Sequence, residues 1–568
     1  MRETEVGTGV SNAGGLTRKD FLKLSGGGAA ALTLAGCGSV FSSGDSGGGD
    51  VGGEGSNGGG GNTLNTYIEA DIPDLNSTAT TDTYSFSILA NITEGLYRLD
   101  GDEEPVPGMA EDVQISDDQL TYTFTLRDGI QWSNGDPVTA ENFRYAWLRA
   151  MNPDTAGQYA YIISDFVEGG ADYAAGDAGE DAVGIQAPDD TTLEVTLANP
   201  APFFLGLTAF PTYFPLNQSF VEEQGEDFGL SPEALLYNGP YTLTEFNSSE
   251  GVVMEKNPDY WDADNVGIDT VDLRVIKDSD TALNLYESGE LDTVGLSAEQ
   301  TDAYRDSPDF VEIPEFASFY TILNTDNEVI SNINIRRALQ LGFDRQAYVD
   351  TVLNNASIPA GGVVPEGVSG PGDQTFREFA GNEPVGPFDA EQARQYWETG
   401  VEELGEEPTL ELLASDNSTG RDTATFLQSQ YQENLGATVE INIQPFDSAL
   451  ELQDERDYQI GAATGWGADY DDAMTFLDLW TSESDFNYVA FENEQYDQLI
   501  ADAKTEADEE ARAELMVEAE RILLEEGAVL APNYYRVRVG LDKPYLQNVV
   551  RHPYGAELDF KYWRIERE

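Results

Sequence analysis

The sequence predicts a multi-lobed protein of mixed α/β class, and three observations carry that expectation. A chain of 568 residues exceeds what one hydrophobic core organises, so two or three structural units are expected. A hydrophobic fraction of 40% with 11% aromatic residues is ample for packed cores and excludes a disordered acidic chain. From residue 63 onward, strand-like alternation and helix-like spacing follow one another along the chain.

Charge narrows the function classes. The 105 Asp and Glu against 29 Lys and Arg give a net charge of -76, spread along the whole sequence. A nucleic-acid partner is excluded, because phosphate recognition needs a basic surface. Such self-repulsion is relieved where salt screens it, down to about 3 Å at 1 M. A salt-loving host is the expected setting. The single cysteine, Cys37, excludes an intrachain disulfide framework and a thiolate metal cluster.

Taken in order, residues 1–37 read as an export signal. Arg18-Lys19 precedes a mildly apolar run from Leu24 to Ala35, and Leu34-Ala35-Gly36-Cys37 follows. The run is too short and too rich in Gly and Ala to span a membrane, which takes about 20 apolar residues. It resembles a twin-arginine (Tat) signal ending in a lipobox, with Arg-Lys in place of Arg-Arg, and implies that Cys37 becomes a lipidated N-terminus. Residues 38–62 are Gly, Ser and Asp, the composition of a flexible tether.

Folded sequence begins near Thr63. Leu64 to Ile68 alternates as a strand, and Tyr84 to Leu96 reads as a helix. Tyr122, Phe124 and Leu126 alternate with threonines, and Asp128-Gly129 and Asn134-Gly135 mark turns. Thr139 is placed to cap a helix whose Phe143 and Trp147 share a face. Gly169 to Gly184 reads as a surface loop, and Asp280 to Asp292 as a helix closed by Gly289. Asp508 to Leu524 reads as a helix burying Leu515, Ala519 and Ile522, and Pro532 to Arg536 as a strand.

The richest stretch chemically is Gly465-Trp466-Gly467-Ala468-Asp469-Tyr470-Asp471-Asp472, which follows a short strand from Tyr458 to Thr464. Gly465 and Gly467 leave main chain open to a guest, Trp466 supplies an apolar wall, and Asp469 adds a charge at its end. That combination suits a small cation such as a peptide's α-amine, which needs charge compensation and acceptors once desolvated. The competing reading makes Trp466 core and Asp469 to Asp472 caps of the next helix.

This stretch resembles the Gly-Trp-x-Ala-Asp-Tyr motif of the oligopeptide-binding lipoproteins of ABC importers, extracellular solute-binding protein family 5. The runs Leu126 to Phe143, Tyr237 to Leu243, Lys256 to Trp261, Asp280 to Asp292 and Phe319 to Leu339 resemble the same family in the same order. The resemblance implies a two-lobed, periplasmic-binding-protein-like α/β fold of the large three-domain variant, hinged between lobes. Its expected division is 63–95, 236–318 and 523–568 for lobe I, 96–235 for an accessory domain, and 319–522 for lobe II. It implies that Asp469 holds the amine and that Gly465, Trp466 and Gly467 pair with a peptide backbone. By position, it places Thr81 and Thr83 on a ligand-facing loop and Tyr535 at the cavity. The implied partners are an oligopeptide, a heterodimeric ABC permease with two ATPase subunits, and the outer face of the membrane through the lipid anchor. A monomer without cofactor is expected.

Enzyme readings fare worse. There is no phosphate-binding Gly-x-x-x-x-Gly-Lys loop and no His-Glu-x-x-His helix in the sequence, and one histidine with one cysteine cannot build a His/Cys metal site. Asp262-x-Asp264 opens like an EF-hand, but Val266 and Leu273 occupy ligand positions. Gly44-Asp45-Ser46-Gly47-Gly48 spells a protease nucleophile motif, yet His552 lies far downstream where that family places its base before the serine. A carboxylate-based glycoside hydrolase, and a receptor for an oligosaccharide or chelated nickel, remain as alternatives. Asp469 discriminates against a neutral sugar, which offers no cation to a buried carboxylate.

Overall fold

The structure, a computed structural model, describes residues 62–567 apart from 156, 382–384 and 485. The export signal with Cys37, and the tether up to residue 61, lie outside the described residues.

The first lobe is built on a four-stranded sheet in the order Thr63–Ile68, Thr270–Val275, Gly251–Lys256, Tyr241–Asn247, with the first pair parallel and the rest antiparallel. Leu64, Thr66 and Ile68 alternate inward, as a half-buried strand requires. A second four-stranded sheet, Ala110–Ile115, Thr121–Leu126, Thr192–Thr196, Ile185–Gln186, is fully antiparallel and occupies the segment expected to be accessory. Helix Ala140–Met151 packs there, with Phe143 and Trp147 both fully buried. Thr139 caps this helix, and its backbone N–H donates to Asn142 Oδ1 at 3.0 Å.

The second lobe carries its own core, in which Leu339, Trp397, Leu410, Leu427, Tyr431 and Ile460 pack together. A seven-stranded sheet runs Thr293–Gly295, Leu530–Asp542, Phe310–Leu323, Ile460–Gly467, Thr409–Ser415, Thr438–Gln444, and Ile358–Pro359 pairs with Leu530–Asp542 off this path. Two of its strands are long. Phe310–Leu323 and Leu530–Asp542 pair over Phe310↔Leu541 to Pro314↔Val537 and again over Ser318↔Tyr535 to Ile322↔Leu530. The boundary expected at 318/319 therefore falls inside one continuous strand. Between the two paired stretches, residues 315–317 bulge, and a bulge re-aims side chains locally.

Some expected elements end elsewhere. The first helix runs Thr83–Ile92 and stops short of Leu96. Glu94 turns inward instead, and its carboxylate accepts from Trp261 Nε1 at 2.6 Å and from the Tyr260 hydroxyl. Residues 169–184 are not all loop: Gly170–Ala174 is a short helix that buries Tyr173. Gly289 closes helix Ser279–Ser288 at φ 81°, a left-handed turn that glycine adopts without strain.

Candidate functional site

The site begins with an unfinished strand. Ile460–Gly467 pairs along one edge with Phe310–Leu323, from Leu323↔Ile460 to Ala317↔Gly467. Along its other edge it meets Thr409–Ser415 only at Leu412↔Ile460 and Leu413↔Gly461. From residue 462 to 467 that second edge has no strand neighbour among the described residues. An unpaired edge presents main-chain donors and acceptors to whatever fills the space beside it.

The space is a cleft of about 740 Å³. Lobe I contributes Thr81, Thr83, Phe86, Tyr159 and Phe210, the bulge contributes Glu315 to Ala317, and the strand end contributes Gly465 to Asp469. Two glycines of this wall act differently. A Cβ on Gly465 would sit 2.5 Å from the Phe319 ring, which stacks on Tyr534 at 4.7 Å, whereas Gly467 faces open space. Gly465 thus lets the sheet close, and Gly467 leaves backbone open toward the cleft. Trp466 is half-buried, held edge-on by Phe486 at 5.0 Å.

The carboxylates divide their labour. Asp472 carries the local structural load: its Oδ1 accepts from Met474 N–H at 2.8 Å, and it receives Arg512 through two bonds of 2.6 and 2.8 Å. Asp471 accepts from the Ser369 N–H and hydroxyl at 2.7 and 2.6 Å, and burial outweighs those bonds to push its carboxyl up to about 6. Asp469 stands half-buried on the cleft wall, and its own N–H donates to Thr475 Oγ1 at 3.3 Å. The following helix, Met474–Leu477, has Ala473 at its N-cap and no side-chain cap, so none of these carboxylates serves as one.

Of the residues singled out by sequence, Asp469, Gly465, Trp466, Gly467, Thr81 and Thr83 meet in this one cleft. Tyr535 does not line it. It is 3% exposed, its hydroxyl accepts from Gly362 N–H at 2.8 Å, and it lines a separate cavity of about 260 Å³. Alternation explains the difference, because neighbours on a strand face opposite sides. Arg536 and Arg538 take the cleft side, where both pair with Glu315 and Arg538 also pairs with Glu557.

His552, the sole histidine, also reaches the cleft. Burial alone would lower its pKa, but bonds to Asp559 and Glu103 raise it to about 9. Sequence reading missed it and the two arginines. The period-2 pair Arg536-x-Arg538 was a usable signal for the latter.

Three comparisons bear on this geometry. Residues 104–488, more than half the chain, match the model of bacterial extracellular solute-binding proteins, family 5 Middle. The chain belongs to this family. It is 35% identical over 480 residues to a dipeptide-binding protein of Bacillus subtilis, DppE, covering 84% of this chain and 87% of that protein. It is 33% identical over 542 residues to the oligopeptide-binding protein OppA of the same organism, covering 93% and 96%. Among solved structures, OppA of Listeria monocytogenes bound to peptide aligns with a TM-score of 0.76 at 36% identity, covering 90% of this chain and all of that one. These relatives are solute-binding proteins and not enzymes. This solute-binding protein shares their two-lobed mixed α/β fold, with the cleft between its lobes. No helix among the described residues is long and apolar enough to cross a membrane.

Proposed function

We propose that this protein is an extracellular receptor that captures oligopeptides between its lobes and hands them to an ABC import permease with two ATPase subunits. The observation that carries the reading is the unpaired edge at 462–467, ending beside Trp466 and Asp469 on a cleft of about 740 Å³. An extended peptide adding as a strand gains main-chain hydrogen bonds whatever its side chains. Asp469 then takes its α-ammonium, Gly465 to Gly467 take its backbone, and Thr81 and Thr83 approach from lobe I. Hinge closure about the two long strands buries the guest and presents the closed form. Relatives named for binding dipeptides and oligopeptides support the same class. Calorimetric titration tests it: tri-alanine binds and a neutral trisaccharide does not, and the reverse outcome overturns the reading.

The same reading has the protein tethered by a lipid on Cys37 as a monomer at the outer face of the membrane, in a salt-loving host. Cys37→Ser should shift the protein from the membrane fraction to the medium, and equal partitioning of both forms would rule the anchor out. The net charge of -76 supports the salt requirement through screening of carboxylate repulsion. The thermal midpoint should rise from low to molar salt, and a falling midpoint contradicts it.

A further inference from the structure

The turn that follows Asp469 is held from two directions. Ser369 binds Asp471 and Arg512 binds Asp472, and both partners lie in the chain between the two long strands of the seven-stranded sheet. Tyr470, next to Asp469, is held from the other side. It is 6% exposed, its ring lies on Phe203 at 4.3 Å and 14°, and Phe166 meets it edge-on at 5.5 Å. Both phenylalanines belong to residues 96–235, the segment that carries the second four-stranded sheet. Their socket is stiff. Phe203 follows Asn199-Pro200-Ala201-Pro202, where proline fixes φ at two positions. The Ala198 N–H donates to the Phe166 carbonyl, which ties the two ring-bearing segments together, and the rings themselves meet edge-on at 5.3 Å.

From this we infer that Phe203 is a positioning residue, which fixes Asp469 for a peptide's amine by holding the neighbouring Tyr470. The inference rests on the reading that Asp469 takes that amine. A charged pair offsets its desolvation only in good geometry, and a binding side chain keeps its geometry when the residues around it are locked by packing. Ser369 and Arg512 lock the far end of the turn, and Phe203 locks the end beside Asp469. If the stack served packing alone, its loss would weaken every peptide alike. If it positions Asp469, its loss falls on peptides that carry a free amine.

The test compares tri-alanine with its amine free and acetylated, by calorimetry in the unaltered protein and in three variants. Phe203→Leu keeps apolar bulk and removes the stack. Phe203 is half-buried, so the fold should survive, which thermal unfolding checks. Phe166→Leu removes only the edge-on ring and carries the test if Phe203→Leu does not fold. Tyr470→Phe keeps the ring. In the unaltered protein the free amine should bind a hundredfold or more tighter than the acetylated one. Phe203→Leu should shrink that ratio by roughly tenfold, the upper end of what one aromatic pair is worth, through loss of free-amine affinity alone. Phe166→Leu should move it less in the same direction, and Tyr470→Phe should leave it in place. An unchanged ratio in Phe203→Leu overturns the inference, as does an equal loss for both peptides or a Tyr470→Phe ratio that falls as far. A ratio near one in the unaltered protein overturns the amine reading of Asp469 and this inference with it, a distinct result.

Discussion

Asp469→Ala should weaken binding of a free-amine tripeptide by roughly a hundredfold to a few thousandfold, since stranding one member of a buried ion pair costs about 3–5 kcal/mol and each 1.4 kcal/mol is about tenfold in affinity. The size of the effect depends on closure. In the structure Asp469 is half-buried on an accessible wall, so the full penalty applies only when the lobes close over the guest and remove water from the pair. The fold should survive, because the anchor of this corner is Asp472, clamped to Arg512. Asp469→Asn keeps the shape, removes the charge and should behave nearly as badly. A tenfold loss or less in both variants would mean that the amine stays solvated in the complex.

The second large effect is on stability. Asp559 is 2% exposed and receives Arg98 through bonds of 2.8 and 2.6 Å, with His552 Nε2 at 3.6 Å. These contacts tie the C-terminal segment to residues far back in the chain, at the floor of lobe I. Asp559→Ala strips the buried Arg98 guanidinium of its two shortest bonds, leaving it Glu94 at 3.5 Å while His552 keeps Glu103, and should cost about 3 kcal/mol, read by denaturant unfolding at pH 7.

The pH dependence follows from signs. Burial alone would raise the Asp559 carboxyl, but the charge of Arg98 and the bond from His552 hold it well below its usual range. Its stabilisation is present above 3.8, the ordinary value of an aspartate, and is lost as pH falls through the depressed folded value. His552 is raised, so its contribution is present below 6.5 and is lost as pH rises through about 9. Wild type should lose stability at both ends, and Asp559→Ala should show a flatter profile. An unchanged profile would remove the network from the account.

Local chemistry made part of this legible in sequence. Thr139 as a cap, Gly289 as a helix stop and the alternation at 64–68 are decided by neighbours within a few residues, and the structure has them all. The Gly465 to Asp469 run was readable for the same reason, with glycines, indole and carboxylate contiguous. Tyr535 lies off the cleft because a strand's residues face alternate sides and only the partner strands decide which side is the cleft. The Arg98, His552 and Asp559 cluster joins residues up to 461 positions apart, a separation at which no spacing rule operates. The first helix ends before the sequence predicts because the turn that recruits Glu94 answers to Tyr260 and Trp261, which lie on a distant segment.

The central claim, that a peptide's free amine is read at Asp469, is tested most directly by the affinity of the unaltered protein for one tripeptide with its amine free and with its amine acetylated. Acetylation should weaken binding by about as much as Asp469→Ala does, a hundredfold or more. Acetylation should also matter little to the Asp469→Ala protein, because each change removes the same contact. Equal binding of the free and acetylated peptides to the unaltered protein would contradict the claim outright.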